Sequence, residues 1–130
     1  MQVTRACDYA CRALVYLARN GTSPVQTAKV ASEVDVPPMY LRKILQSLSR
    51  AGFVRTSTGS GGGITLAQSP AEISLKDVVE AVEGPIVVSQ CIPRPETCRN
   101  SGACKVRLNL AAVQDRLHHE FSSRKISDLV

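Results

Sequence analysis

The hydrophobic period of this chain changes at Gly52, and that change constrains the fold more than any other feature. Before it, apolar residues recur at helical spacing. Val3, Ala6, Ala10, Ala13, Leu14 and Leu17 mark a first helix, which Asn20-Gly21 ends with a left-handed cap. Ala28, Ala31 and Val34 mark a short second helix over 27–34, followed by a tight Asp35-Val36-Pro37 connection. Pro38 suits the first turn of a third helix, where its missing N–H has no intrahelical partner. Leu41, Ile44, Leu45 and Leu48 then form a one-sided stripe, and Gly52 caps it. After Gly52, residues 53–57 favour pleated backbone, residues 59–63 read Gly-Ser-Gly-Gly-Gly, and residues 64–67 return as a strand.

Three helices and a glycine-tipped hairpin, in that order, predict a winged helix-turn-helix. The rest of the chain is helical again. Ser74 N-caps a fourth helix with Asp77 placed to answer it, Leu75, Val78, Val79 and Val82 form its stripe, and Gly84-Pro85 stops it. Residues 86–101 are irregular. Ala103, Val106, Leu110, Val113, Leu117 and Phe121 then repeat at gaps of 3, 4, 3, 4 and 4, a seam like that of a coiled coil. The fold class expected is mainly α with a small β-hairpin wing.

Charge divides the chain at the same place. The net charge is +5, yet residues 1–66 hold eight Lys/Arg against three acids, and residues 67–130 hold eight of each sign. A basic half suggests an anionic partner. The third helix turns Tyr40, Arg42, Lys43, Gln46, Ser47 and Arg50 away from its apolar stripe. Arg and Lys reach guanine edges or phosphates, and Gln pairs with adenine. The hairpin tip at Gly61 and Gly62 is almost free of side chains, so it can approach a sugar-phosphate backbone, with Arg55, Thr56 and Thr58 beside it as donors. The bland alternative is a solvated surface helix and a floppy turn. A nucleotide-cradling loop is excluded, since the glycines join two strands and no Gly-Lys-Ser/Thr follows. Apolar runs fall short of the roughly 18 residues a membrane span needs. Residues 1–5 lead straight into an amphipathic pattern with Asp8, which reads as neither a signal nor a transit peptide and implies a cytoplasmic protein. An enzyme is not expected, because His118 and His119 have no nucleophile or acid–base pair around them.

Five cysteines are present, and three of them, Cys91, Cys98 and Cys104, share one Pro- and Gly-containing loop. An odd count without signs of secretion argues against disulfides. The gaps are wider than the paired spacing common for zinc. They suit an iron–sulfur cluster, whose irons need ligands spread around them, ahead of zinc and of structural thiols. A fourth donor is then needed, and Asp8, Cys7, Cys11, His118, His119 and an external ligand all remain open on spacing. Cys7 and Cys11, one helical turn apart, also read as small core residues.

With these parts assembled, the chain resembles the Rrf2 family of bacterial transcription regulators, of IscR, NsrR and CymR type. The resemblance rests on MQVTRACDYACRALVYLA, PPMYLRKILQSLSRAGFVRTSTGSGGGITLA, ISLKDVVEAVEGP and the three cysteines ending in SGACKVR, and spans residues 1–121. It implies a homodimer whose long last helices cross, giving Val106, Leu110, Val113 and Leu117 a partner. It also implies a double-stranded DNA operator with two half-sites. Cys91, Cys98 and Cys104 become ligands of a 4Fe–4S cluster, favoured over 2Fe–2S, that tunes DNA affinity in response to nitric oxide, redox state or iron–sulfur status. The IscR type adds a histidine three residues after the last cysteine, where this chain has Arg107. The NsrR type adds an aspartate from the partner's first helix, which Asp8 matches. Bases read in the IscR type fall on Arg42, Lys43 and Thr58 here. The implied division is residues 1–84 for DNA binding, 85–102 for the cluster loop and 103–130 for the dimerisation helix and tail. The rival within the same fold is a cluster-free thiol- or zinc-dependent regulator acting through a protein partner.

Overall fold

Side-chain caps mark the starts of three of the helices in the computed structural model, which describes residues 3–130. Helix α1 spans Arg5–Arg19, with the Thr4 side chain accepting from the Cys7 N–H. Helix α2 spans Thr27–Glu33, and α3 spans Pro38–Arg50 with Pro38 in its first turn. Helix α2 is one residue shorter than its apolar pattern suggests, because Val34 serves as its cap. Strands β1 (Val54–Ser57) and β2 (Gly63–Leu66) pair antiparallel, Thr56 opposite Ile64. Helix α4 (Leu75–Glu83) starts on a full capping box between Ser74 and Asp77. A 3-10 turn at Pro95–Thr97, helix α5 (Lys105–Ser123) and a second 3-10 turn at Ile126–Leu129 complete the chain.

The core lies where α1, α3 and α4 meet the hairpin. Leu14 and Leu17 from α1, Leu41 and Leu48 from α3, Ile64 from β2 and Val78 from α4 are all essentially closed to solvent. Their burial at roughly 1.5–3 kcal/mol for each large side chain is the main force docking these elements. Cys7 belongs to the same interior, and Cys11 packs at its edge. Burial raises the pKa of both thiols, Cys11 to about 11, with the neighbouring Cys7 and Asp8 adding to the effect on Cys11. Both therefore stay protonated at neutral pH and behave as core residues.

Two long-range features go beyond the element order. Val25, just before α2, exchanges backbone hydrogen bonds with Ile64 at 3.0 and 2.8 Å, adding a third strand stub to the hairpin. The chain end after α5 turns back along residues 73–75. The Ile126 N–H donates to the Ile73 carbonyl at 2.9 Å, and the Leu75 N–H donates to the Arg124 carbonyl at 2.8 Å. Ile126 itself is 0% exposed and joins the α1–α4 core.

Candidate nucleic-acid interface and cysteine loop

The apolar stripe of α3 faces inward, which forces Arg42, Lys43, Gln46 and Arg50 outward. Arg42, Gln46 and Arg50 line a groove of about 580 Å³ together with Thr27, Ser49 and Thr56. One wall is α3, the other is the wing. Thr27 and Ser49 carry no positive charge and interrupt no pattern, so a search for basic residues passes over them. The Arg50 guanidinium also donates to the Ser47 hydroxyl at 3.4 Å. Tyr40 points the other way, its ring edge-on to Tyr9 of α1 with centroids 5.6 Å apart. Arg55 faces away from Thr56, as alternation along a strand requires, and lines a concavity with Thr22, Thr65 and Gln68. Thr58 and Gly61 lie exposed in the wing tip.

The wing is held from behind. Gln26 Nε2 donates to the Gly62 carbonyl at 3.0 Å, so the residue that opens α2 also fixes the hairpin tip. Gly63 approaches Val25 so closely that a Cβ there would lie 2.5 Å from the Val25 carbonyl oxygen. This is why the strand stub and the glycine occur together: the bridge needs backbone contact without a side chain.

The cysteine loop is built on α5. Cys104 is the N-cap, and its sulfur accepts from the Arg107 N–H at 3.4 Å. Cys91 is half-buried with its sulfur 3.1 Å from the Ser89 hydroxyl, and Cys98 is exposed just after the Pro95–Thr97 turn. Asp8 is exposed in the first turn of α1, where its carboxylate pairs with Arg12 at 2.9 Å. His118 accepts a structural role, its Nε2 2.9 Å from the Ile86 carbonyl, while His119 is exposed. Among the described residues, no three Cys, His, Asp or Glu side chains of the single chain converge on a common ion position. The donors fit a thiolate-held metal group in kind: three thiols on one loop, one of them at a helix N-terminus that favours negative charge. Their arrangement in one chain is open.

On the outer edge of α5, Val106 and Val113 are 67% and 48% exposed, whereas Leu110 and Leu117 of the same seam are half-buried. No helix among the described residues is long and apolar enough to cross a membrane.

Residues 3–130 match the Rrf2 family, described as an iron-dependent transcriptional regulator. This chain belongs to the Rrf2 family of transcriptional regulators. It is 33% identical over 132 residues to the HTH-type transcriptional repressor NsrR of Streptomyces coelicolor, covering 100% of this chain and 88% of that protein. It is equally 33% identical over 131 residues to protein aau3 of Rhizobium meliloti, covering 100% of this chain and 85% of the other. In fold it is similar to CymR, the global cysteine regulator of B. subtilis, with a TM-score of 0.80 at 22% identity over 99% of this chain and 95% of that one. The winged-helix class and the Rrf2 resemblance read from the sequence both hold.

Proposed function

We propose that this Rrf2-family regulator is a cytoplasmic homodimeric repressor that binds two half-sites of a DNA operator, with an affinity set by an iron–sulfur cluster on its cysteine loop. The observation that carries the DNA reading is the shared groove of α3 and the wing. Arg42, Gln46 and Arg50 stand there beside Thr56, backed by a tip that Gln26 holds. Lys43, Ser47, Thr58, Gly61 and Gly62 complete the contact set as phosphate, sugar or base-edge partners, whereas Tyr40, set against Tyr9, and Arg55, on the far face of the wing, are directed away from this groove. A dimer presents two such units, and half-sites about 34 Å apart would meet them on one side of the duplex. Val106 and Val113, exposed in one chain, gain a partner along the α5 seam with Leu110 and Leu117. Asp substituted at Val113 then gives a monomer in light scattering, where the parent chain gives a dimer.

Cys91, Cys98 and Cys104 would hold the cluster, 4Fe–4S ahead of 2Fe–2S, with the partner subunit's Asp8 as fourth donor. What such a cluster supplies is a centre that nitric oxide and redox change can alter. The chain's own part is mechanical. Asp8 must leave Arg12 to serve as a donor, and α1, which carries it, packs through Leu14 and Leu17 into the core that seats α3. Two positions of α1 would therefore be two positions of the reading helix, and any bias toward one changes DNA affinity.

Anaerobic purification tests the cluster reading: brown protein with iron and sulfide supports it. Colourless protein with stoichiometric zinc overturns it and favours the cluster-free regulator of the same fold. Gel shifts at fixed salt, with and without the cluster, then test control of DNA binding. Full retention of that control in Asp8→Ala would remove Asp8 from the switch.

A further inference from the structure

Three side chains of α5 bond to the backbone of one segment, residues 86–92. Arg107, Gln114 and His118 are seven and four residues apart, so they share a helix face. His118 Nε2 is 2.9 Å from the Ile86 carbonyl, and the Val88 N–H donates to Gln114 Oε1 at 3.0 Å. Arg107 donates from Nε to the Cys91 carbonyl at 2.8 Å and from Nη2 to the Ile92 carbonyl at 3.3 Å. The segment runs antiparallel to the helix and ends in a turn, where the Ile92 N–H donates to the Ser89 carbonyl at 3.1 Å. Ile86 is buried at the far end and anchors the register.

Arg107 thus touches both cysteines that flank the loop. Its backbone N–H meets the Cys104 sulfur, and its guanidinium holds the Cys91 carbonyl. A planar fork on two adjacent carbonyls restrains direction as well as distance, which a single point donor does not. Cys98 has no comparable tether and stands on the exposed turn.

We propose that Arg107 is a positioning residue of the thiol site, its fork holding the turn that carries Cys91 against the start of α5, where Cys104 sits, and leaving Cys98 as the untethered thiol of the three. This rests on reading the three cysteines as metal ligands, but the tether itself exists without metal and can be measured separately.

The test compares the full-length parent with Arg107→Ala and Arg107→Lys, first without metal, by amide hydrogen exchange. The Ile92 and Arg94 N–H groups, which bond to Ser89 and Gln90 inside the tethered segment, should exchange about tenfold faster in both variants. Core amides of α1 should be unchanged. In a second arm, anaerobic iron and sulfide are added, and loss of visible absorbance to a chelator is timed; both variants should lose it several-fold faster than the parent. Unaltered exchange at Ile92 and Arg94 in Arg107→Ala overturns the proposal. So does Arg107→Lys behaving as the parent in both arms, since charge would then suffice without the fork. A parent that takes up no iron sinks the metal reading alone, and the exchange arm still decides the tether.

Discussion

Gln26 and Gly62 lie 36 residues apart in the chain, yet the Gln26 amide donates to the Gly62 carbonyl at 3.0 Å and ties the start of α2 to the wing tip. Both partners are close to the surface, so the bond does little for global stability. Its effect is on where the tip stands relative to α3. Gln26→Ala should weaken operator binding by roughly fivefold, about one net hydrogen bond, with no change in the urea midpoint. Fluorescence anisotropy at constant salt reads this, and an unchanged affinity would show that the tip needs no tether.

Two neighbouring glycines should respond differently to alanine. At Gly63 a Cβ would meet the Val25 carbonyl at 2.5 Å, with φ at +154°, so Gly63→Ala must open the Val25–Ile64 bridge. At Gly61 a Cβ meets nothing within 4 Å, and only the positive φ of +77° opposes the change. The expected costs are about 2–3 kcal/mol for Gly63→Ala and about 1 kcal/mol for Gly61→Ala. Equal urea midpoints for the two variants would contradict the crowding at Val25.

Asp77 links stability to pH. Burial alone would raise its pKa, but the Ser74 hydroxyl at 2.6 Å and the Ser74 N–H at 2.9 Å both donate to it and win, leaving it below the usual carboxylate value. A lowered folded-state pKa means the capping box stabilises fully above the unfolded carboxylate range. That contribution fades as pH falls through the folded pKa of Asp77. Asp77→Asn should therefore be less stable than the parent at pH 6, with the gap closing toward pH 3. Thermal melts across that range would expose a pH-independent gap, which this account does not allow.

Ile126 sits in the short 3-10 turn that follows α5, a connecting segment where exposure is the ordinary expectation. Here it is fully buried, so Ile126→Ala should cost about 2–4 kcal/mol, the range for emptying a core site. Urea denaturation gives the value directly. A loss below about 0.5 kcal/mol would mean that the tail merely covers the core.

Much of the site is legible in the sequence. The stripe of Leu41, Ile44, Leu45 and Leu48 dictates which way Arg42, Gln46 and Arg50 face, because a helix with one apolar side has only one way to dock. Ser74 and Asp77 announce their capping box three residues apart. Arg55 was harder: its charge suggests the groove, and only the strand's register places it on the far face from Thr56. Val25 stands alone between Pro24 and Gln26, with no alternation to mark a strand. The apolar seam of α5 runs to Phe121, and nothing in Arg124-Lys125-Ile126 signals a return to the core.

The order of elements, the glycine wing and the grouping of three thiols on one loop are written in the local sequence, while the ends of α1, α2 and α5 differ from their apolar patterns by one or two residues. The features written locally follow from spacing, caps and backbone freedom, which act within a few residues. That Gln26 holds the wing, that Ile126 closes the core and that Arg107 joins Cys91 to Cys104 emerges from the packed fold alone. Each is a contact between distant segments, set by how the docked helices and strands come to lie beside one another, and no local pattern encodes it.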